Sequence, residues 1–216
     1  MIYQPKTKLI SVTPNAEETM AYIARVSNPK NQNNKNISKL LKYCLDHGHV
    51  SVFEQAHMTI EVETHMAIAV QILRHRSFCF QQFSQRYSNA NEINEELLPL
   101  FELRIQDTKN RQNSIDALDD TIKSEFLNRI ESHFSNTMQL YTDMLEAGVA
   151  KECARFVLPM ATSTRMYVTG NIRSWIFYIQ ERTKEGVQKE HMDVALLCKN
   201  IFIENFPIIS EGLGWV

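Results

Sequence analysis

The sequence predicts an α+β fold, with one helix-rich domain over residues 1–216 and a small mixed or antiparallel sheet. Most apolar residues recur at helical spacing, whereas a few short segments alternate apolar and polar residues as strands do. The glycines are scattered, and no repeat, linker or low-complexity block divides the chain. A chain of 216 residues, 44% of them hydrophobic, is long enough to bury one sizeable core.

The first third of the chain predicts two strands and three helices. Residues 8–12 and 57–63 alternate like strands, and the second of these has one polar face. Residues 16–26 and 37–45 place apolar side chains on one face of a helix. The apolar run at 66–73 lacks Gly and Pro and is too long for a typical buried strand, so it predicts a helix buried on most sides.

Helices predominate in the rest of the chain. In order, the predicted elements are a short strand at 103–105, a helix at 114–147 capped by Ser114, a helical passage from 151 that is broken at Pro159 and resumes over 163–179, and a last helix at 187–205.

Composition excludes several classes of protein. The net charge of −2 argues against a general nucleic-acid binder, which is normally basic, and against an RNA-binding module that stacks bases on Arg and Phe. The four cysteines are widely spaced with no CxxC pair, as expected for reduced thiols in the cytoplasm. The apolar runs are too short to cross a bilayer, and the N-terminus lacks the apolar stretch of a secretory signal. We therefore expect a soluble cytoplasmic protein without a membrane or nucleic-acid partner.

The densest group of polar donors follows the apolar run at 66–73. The end of the predicted helix presents a first set, which consists of Gln71, Arg74, His75 and Arg76. The extended segment that follows presents a second set on one side, which consists of Gln82, Ser84 and Arg86. Arginine and histidine at a helix end can simply complement its dipole. That account does not explain the second set, and no run of carboxylates lies nearby in the sequence to pair with either. The pattern therefore predicts an anionic ligand.

Other ligand-binding motifs are missing from the chain. There is no GxGxxG, P-loop, GxSxG or HExxH sequence, so a dinucleotide would be held by side chains and not by a glycine turn. The histidines between residues 47 and 75 match no zinc signature, and no metal site is predicted.

Several motifs, in order, resemble those of the flavin-dependent thymidylate synthases. Arg74-His75-Arg76, then seven residues, then Ser84 is similar to the family's RHRx7S signature. The match spans roughly residues 20 to 195. Its other segments are Ala24-Arg25-Val26-Ser27, His47-Gly48-His49-Val50-Ser51-Val52-Phe53-Glu54, Ala154-Arg155-Phe156-Val157-Leu158-Pro159, Asn171-Ile172-Arg173-Ser174, and Arg182 with Gln188-Lys189-Glu190.

The resemblance implies the fold of the flavin-dependent thymidylate synthases. It also implies that the chain is a methyltransferase that makes dTMP from dUMP. It implies methylenetetrahydrofolate as carbon donor, FAD as the cofactor that delivers a hydride after reduction by NADPH, and a homotetramer with shared active sites. Three positions depart from the family: Gln82 where Glu is usual, Phe177 at a commonly polar position, and Gly186 where a His is frequent. Because of them, a non-catalytic nucleotide- or flavin-binding relative stays open as an alternative.

The resemblance also implies residue roles. Arg182 would be catalytic, placing positive charge at the uracil ring. The implied flavin-binding residues are Ser27, His49, Ser51, Arg74, His75, Arg76, Gln82, Asn171 and Arg173. The implied dUMP-binding residues are Gln71, Arg74, Gln82, Ser84, Gln85, Arg86, Arg155 and Arg182.

Overall fold

The computed structural model describes residues 2–93 and 97–216. Its described residues form a four-stranded antiparallel sheet in the order β1-β2-β6-β3 and a separate two-stranded sheet, β4-β5. The strands are β1 (Lys6–Val12), β2 (His57–His65), β3 (Cys79–Gln82), β4 (Ile105–Gln106), β5 (Ser114–Ile115) and β6 (Ser163–Asn171). The expected α+β class with a small antiparallel sheet is confirmed.

Eight helices accompany the sheets in the described ranges. They are α1 (Ala16–Ala24), α2 (Ser38–Asp46), α3 (Met66–Ile72), α4 (Asp120–Glu146), α5 (Lys151–Ala154), α6 (Ile172–Arg182), α7 (Lys189–Asn205) and α8 (Pro207–Gly212). Among the described residues, no helix is both long and apolar enough to cross a membrane.

The main core lies between one face of the four-stranded sheet and the helices around it. Alternate residues of β2 and β6, such as Ile60 and Val168, point into it and are at most 2% exposed. Trp175 of α6 lies at its centre and donates from Nε1 to the Met58 carbonyl of β2, 2.9 Å away. The other face of the sheet is polar, and Arg165 there pairs with Glu63.

A second apolar cluster lies under the long helix α4. Phe134 and Tyr141 of α4 pack there with Leu98 and Ala154. The Tyr141 hydroxyl accepts a hydrogen bond from the Ala90 amide at 3.1 Å, so its buried polar atom is satisfied. This cluster fixes the chain on either side of α5.

The prediction of a helix over 163–179 is wrong in its first half. Residues 163–171 form β6, which pairs with β2 along its whole length and with β3 on its other side. The helix begins only at Ile172. Within β6, buried Met166 and Val168 alternate with the half-buried Arg165 and Tyr167. Alternation and the β-branched and aromatic composition favour a strand, and pairing on both sides stabilises it.

Two element boundaries in the middle of the chain also differ from prediction. Ser114 belongs to β5, and Asp119 caps α4 by accepting from the amides of Thr121 and Ile122. The strand predicted at 103–105 lies at Ile105–Gln106, and the tail forms the unpredicted α8. The helices predicted at 16–26, 37–45 and 187–205 are confirmed with ends shifted by one or two residues.

Candidate active site

The Arg-His-Arg segment forms the turn between α3 and β3. The prediction that it occupies the last helical turn is wrong, because α3 ends at Ile72. The His75 amide donates to the Ile72 carbonyl at 3.0 Å, and the Phe78 amide donates to the His75 carbonyl at 3.1 Å. Arg74 and Arg76 are exposed, and neither forms an ion pair within residues 2–93 and 97–216.

A buried phenylalanine anchors this turn. The Phe78 ring lies 4.7 Å from Trp175 and 5.7 Å from Tyr178, measured between ring centroids. It also lies directly over Gly170 of β6, where a Cβ atom would come within 2.2 Å of its Cδ1. The close approach of ring and backbone requires glycine at that position. The turn is thus held rigidly on the core although its arginines are exposed.

Both ends of α6 contact the Arg-His-Arg turn. At the start of the helix, Ser174 donates from Oγ to the Ser77 carbonyl at 3.4 Å. At its end, Arg182 donates from Nε to Nε2 of His75 at 2.8 Å. The helix therefore aligns the predicted catalytic arginine with the turn. The four Nη–H donors of Arg182 have no partner among the described residues and can reach a ligand.

The environment keeps His75 neutral. Its Nε2 accepts from Arg182, so its proton is on Nδ1. Burial and then the positive charge of Arg182 lower the pKa of His75 to about 4, and the negative charge of Glu181 opposes this shift. A neutral imidazole leaves the charge at this place on the arginines.

A buried histidine from α7 lies on the other side of His75. The centroids of the His75 and His191 rings are 6.2 Å apart, and His191 Nδ1 lies 3.2 Å from Oε1 of Gln71. Burial, then the charge of Arg182, lowers the pKa of His191 to about 3. Gln71 in turn donates from Nε2 to Oε1 of Gln188 at 2.6 Å. The sequence did not predict a role for His191, because a lone histidine on an amphipathic helix carries no ligand pattern.

The second row of predicted donors is split between a strand and a turn. β3 ends at Gln82, and Ser84 accepts from the amide of Ser88 at 3.0 Å, so the predicted extension of the strand is wrong. Gln82 donates to Oγ1 of Thr164 at 3.1 Å and lines a groove with Ser84. Gln85 lies half-buried in this turn.

Arg86 and Arg155 lie at α5, and no hydrogen bond or ion pair between described residues joins either of them to the Arg-His-Arg turn. Arg86 pairs with Glu152 at 3.0 Å, with both side chains more than half exposed, so this pair adds little stability. The guanidinium of Arg155 lies 5.7 Å from the ring of Phe156, which is 82% exposed.

The predicted flavin-binding residues from separate segments meet at the start of α6. Asn171 caps the helix by accepting from the Ser174 amide at 2.9 Å, and Arg173 pairs with Glu54. Glu54 ends the 3₁₀ turn Val50–Glu54, which contains Ser51 and follows His49.

Ser27 lines a separate cleft close to His49. Arg25 and Tyr43 line the same cleft, and the ring of Tyr43 lies 5.6 Å from that of His49. Arg25 itself is committed to the chain, since it donates to the carbonyls of Asn34 and Asn36 at 2.6 Å. Ser27 is thereby placed near the His49 side of the site.

The two neutral histidines make a testable prediction for stability. Their folded pKa values lie below the ordinary 6.5, so between pH 6.5 and 4 the unfolded chain binds more protons than the folded chain. The free energy of unfolding should therefore fall as the pH is lowered from 7 to 5. Each of the two histidines contributes up to about 1.4 kcal/mol per pH unit to this fall. Chemical denaturation at each pH measures this slope.

The control uses two single variants. His191→Asn removes one of the titrating groups and should flatten the slope, whereas His133→Gln changes an exposed histidine of α4 and should not. A slope that is the same in all three proteins would contradict the assignment of His75 and His191 as neutral histidines.

Fold and site together define an α+β protein with an arginine-rich candidate site for anionic ligands and no glycine-rich phosphate loop. Residues 8–208 match the family model of the thymidylate synthase complementing protein. The chain belongs to this family, that of the flavin-dependent thymidylate synthases. The sequence resemblance is thereby confirmed.

Two curated relatives cover nearly the whole chain. It is 51% identical to a probable flavin-dependent thymidylate synthase of Paramecium bursaria Chlorella virus 1, over 97% of this chain and 99% of the relative. It is 48% identical to the flavin-dependent thymidylate synthase of Synechocystis sp., over 92% of this chain and 90% of the relative.

A solved structure supports the fold. The UMP/dUMP methylase PolB from Streptomyces cacaoi, bound with 5-Br dUMP, superposes with a TM-score of 0.83 and covers 98% of this chain and 95% of that one. At 21% sequence identity, the likeness shows a shared fold.

Proposed function

We propose that this chain is a flavin-dependent thymidylate synthase, a methyltransferase that converts dUMP to dTMP, with residues 1–216 acting as one catalytic domain. The contact between Arg182 and His75 carries the proposal, because it places the predicted catalytic arginine on the Arg-His-Arg turn. Relatives at 48% and 51% identity bear that enzyme's name, which favours catalysis over the non-catalytic alternative.

The donors at the turn fit FAD as the flavin. Arg74 and Arg76 are exposed and form no ion pair within the described ranges, so their guanidinium groups are free to pair with a pyrophosphate. His49, Ser51 and Arg173 lie along the start of α6 and would hold the remainder. When bound and reduced by NADPH, the flavin supplies a hydride, and methylenetetrahydrofolate supplies the carbon.

Arg182 would act on the uracil of dUMP. Its Nη–H donors can bond a ring carbonyl, and its charge would stabilise negative charge that develops on the ring. Neutral His75 accepts a hydrogen bond from Nε of the guanidinium and adds no second positive charge beside it. Gln71 would also bind dUMP, and the phosphate would be bound by the arginine, hydroxyl and amide donors at Arg74, Ser84, Gln85, Arg86 and Arg155.

A homotetramer with shared sites explains where the dUMP residues lie. Arg86 and Arg155 are near α5, and no direct polar contact between described residues joins them to Arg182. The adjacent aromatic side chains of Tyr87 and Phe156 are 85% and 82% exposed. Aromatic residues beside arginines are typical of protein interfaces, so we place this surface at the site of another subunit. The four free cysteines are consistent with a cytoplasmic location.

The test is dTMP formation by the purified full chain, followed by mass spectrometry. FAD, NADPH, dUMP and methylenetetrahydrofolate are supplied together, and each is then omitted in turn. We expect product only in the complete mixture. Product without flavin, or binding of FAD and dUMP with no product, would contradict the proposal.

The departure at position 82 yields a further prediction. In Gln82→Glu, the Thr164 hydroxyl can reverse and donate to the new carboxylate, so the contact between β3 and β6 survives. We expect kcat and FAD content to change by less than about tenfold, or 1.4 kcal/mol in barrier height. Steady-state kinetics and flavin absorbance measure both.

Gln81→Glu is the matched control, because the neighbouring side chain carries the same change on the opposite face of β3. A gain in kcat well above tenfold, restricted to Gln82→Glu, would instead show that this position limits turnover.

A further inference from the structure

A chain of hydrogen bonds runs from a half-buried ion pair to His191, and each of its links has one possible direction. Arg104, whose side chain is 10% exposed, donates from Nη2 to Glu190 at 2.6 Å. Gln188 donates to the other oxygen of Glu190 at 3.0 Å, and Gln71 donates to Gln188 at 2.6 Å. The last link joins Gln71 Oε1 to His191 Nδ1 at 3.2 Å.

The carboxylate at one end sets the direction of every link. An ionised carboxylate only accepts hydrogen bonds, and both salt-bridge geometry and a lowered pKa keep Glu190 ionised. The amide nitrogen of Gln188 must therefore face Glu190, and its oxygen must face Gln71. Gln71 then presents its nitrogen to Gln188 and its oxygen to His191, which must donate from Nδ1.

His191 provides a donor where water cannot reach. It is fully buried, with a relative exposure of 0%. Its Nε2 and the hydroxyl of Tyr178 are both buried without a hydrogen-bond partner among the described side chains. With Nδ1 protonated, Nε2 is an acceptor, and the ring of Tyr178 covers this side of the imidazole, with 5.8 Å between the ring centroids. A histidine so placed cannot exchange its bond to Gln71 for one to solvent.

We propose that His191 is a positioning residue that, together with Gln188 and Glu190, fixes the orientation of the Gln71 amide toward the nucleotide. One N–H of Gln71 donates to Gln188, and the other has no partner within the described part of the chain. In this orientation Gln71 offers dUMP an N–H donor. A flipped amide would instead direct its oxygen at the carbonyl or phosphate oxygens of dUMP, which also accept hydrogen bonds. The inference rests on the proposed function, which places Gln71 in the dUMP site.

The test compares two substitutions of the buried histidine. His191→Leu removes the donor but keeps apolar volume, and His191→Asn keeps an N–H donor close to the position of Nδ1. We expect the leucine variant to raise the Kd and KM for dUMP about tenfold with a smaller change in kcat, and asparagine to restore most of the affinity. Calorimetric titration with dUMP gives Kd, and FAD content and melting temperature are recorded alongside.

A double-mutant cycle separates positioning from a general structural role. If His191 acts through Gln71, then His191→Leu should have no further effect on dUMP affinity once Gln71→Met is present. Independent, additive effects would overturn the inference, as would an unchanged Kd in His191→Leu. Gln188→Met changes an exposed side chain and should weaken dUMP binding in the same way, so it tests the chain even if the leucine variant does not fold.

The proposed function can fail separately. If the unmodified protein does not bind dUMP, the proposed function is wrong, and the role of His191 is overturned with it because Gln71 then has no nucleotide to bind. If it binds dUMP and forms dTMP, and the cycle is additive, only the role of His191 is wrong.

Discussion

Arg182→Ala is expected to lower kcat for dTMP formation by about 10³-fold, the effect of removing a preorganised charge from a developing anion. The substitution removes the positive charge and the four Nη–H donors proposed to face uracil. It also leaves Nε2 of His75 without its donor, and the pKa of His75 should rise because Arg182 lowers it. The measurement is single-turnover dTMP formation with dUMP at saturation.

Two controls separate this role from a structural one. Arg182→Lys retains a charge but not the planar group that reaches His75 and a ligand together, so we expect intermediate activity. Lys184→Ala removes an exposed lysine two residues further along, which pairs with Glu181, and should keep nearly full activity. Near-full turnover in Arg182→Ala, with normal flavin content, would show that Arg182 is not the catalytic residue.

Trp175→Ala is expected to reduce the free energy of unfolding by about 3–5 kcal/mol, as truncation of a large core aromatic does. Trp175 is 1% exposed and donates to the Met58 carbonyl in the middle of the sheet. Its loss would leave a cavity between α6 and β2 and an unsatisfied acceptor. Since Trp175 also supports Phe78, the Arg-His-Arg turn should loosen, and FAD affinity should fall with stability.

Urea denaturation measures this effect, and the chain offers a matched control. Trp215 packs against Phe202 near the end of the chain, with Lys199 over its ring, but remains partly exposed. Trp215→Ala should therefore cost at least about 1 kcal/mol less than Trp175→Ala. Equal costs for the two substitutions would show that the sheet–helix core does not depend on Trp175.

The sequence predicts a helix correctly where the apolar face of the segment is enough to determine which of its residues are buried. The apolar run that forms α3 and the amphipathic patterns of α1, α2 and α7 predict their elements to within a few residues. Residues 163–171 are predicted as part of a helix, although the alternation of residues 165–168 favours a strand, because a short window distinguishes the two periods poorly. The strand is chosen by two neighbours, β2 and β3, that are distant in sequence.

The candidate site divides in a similar way. Sequence motifs marked Arg74, His75, Arg76 and Arg182, and the structure shows that α6 brings the last of these to His75. No motif marked Arg104 or His191, because their significance lies in contacts with Glu190 and Gln71 across the fold. The orientation of an amide cannot be inferred without knowing which carboxylate lies at the end of its hydrogen-bond chain.

The sequence by itself determined the α+β class, the family and the donor chemistry of the site, because periodicity, residue type and motif order are local properties of the chain. Tertiary structure decided which segment became the inner strand β6, where the Arg-His-Arg turn lies, and which histidines are buried and neutral. These outcomes depend on desolvation and pairing between residues as far apart as Gln71 and His191, and such long-range contacts exist only once the chain has folded.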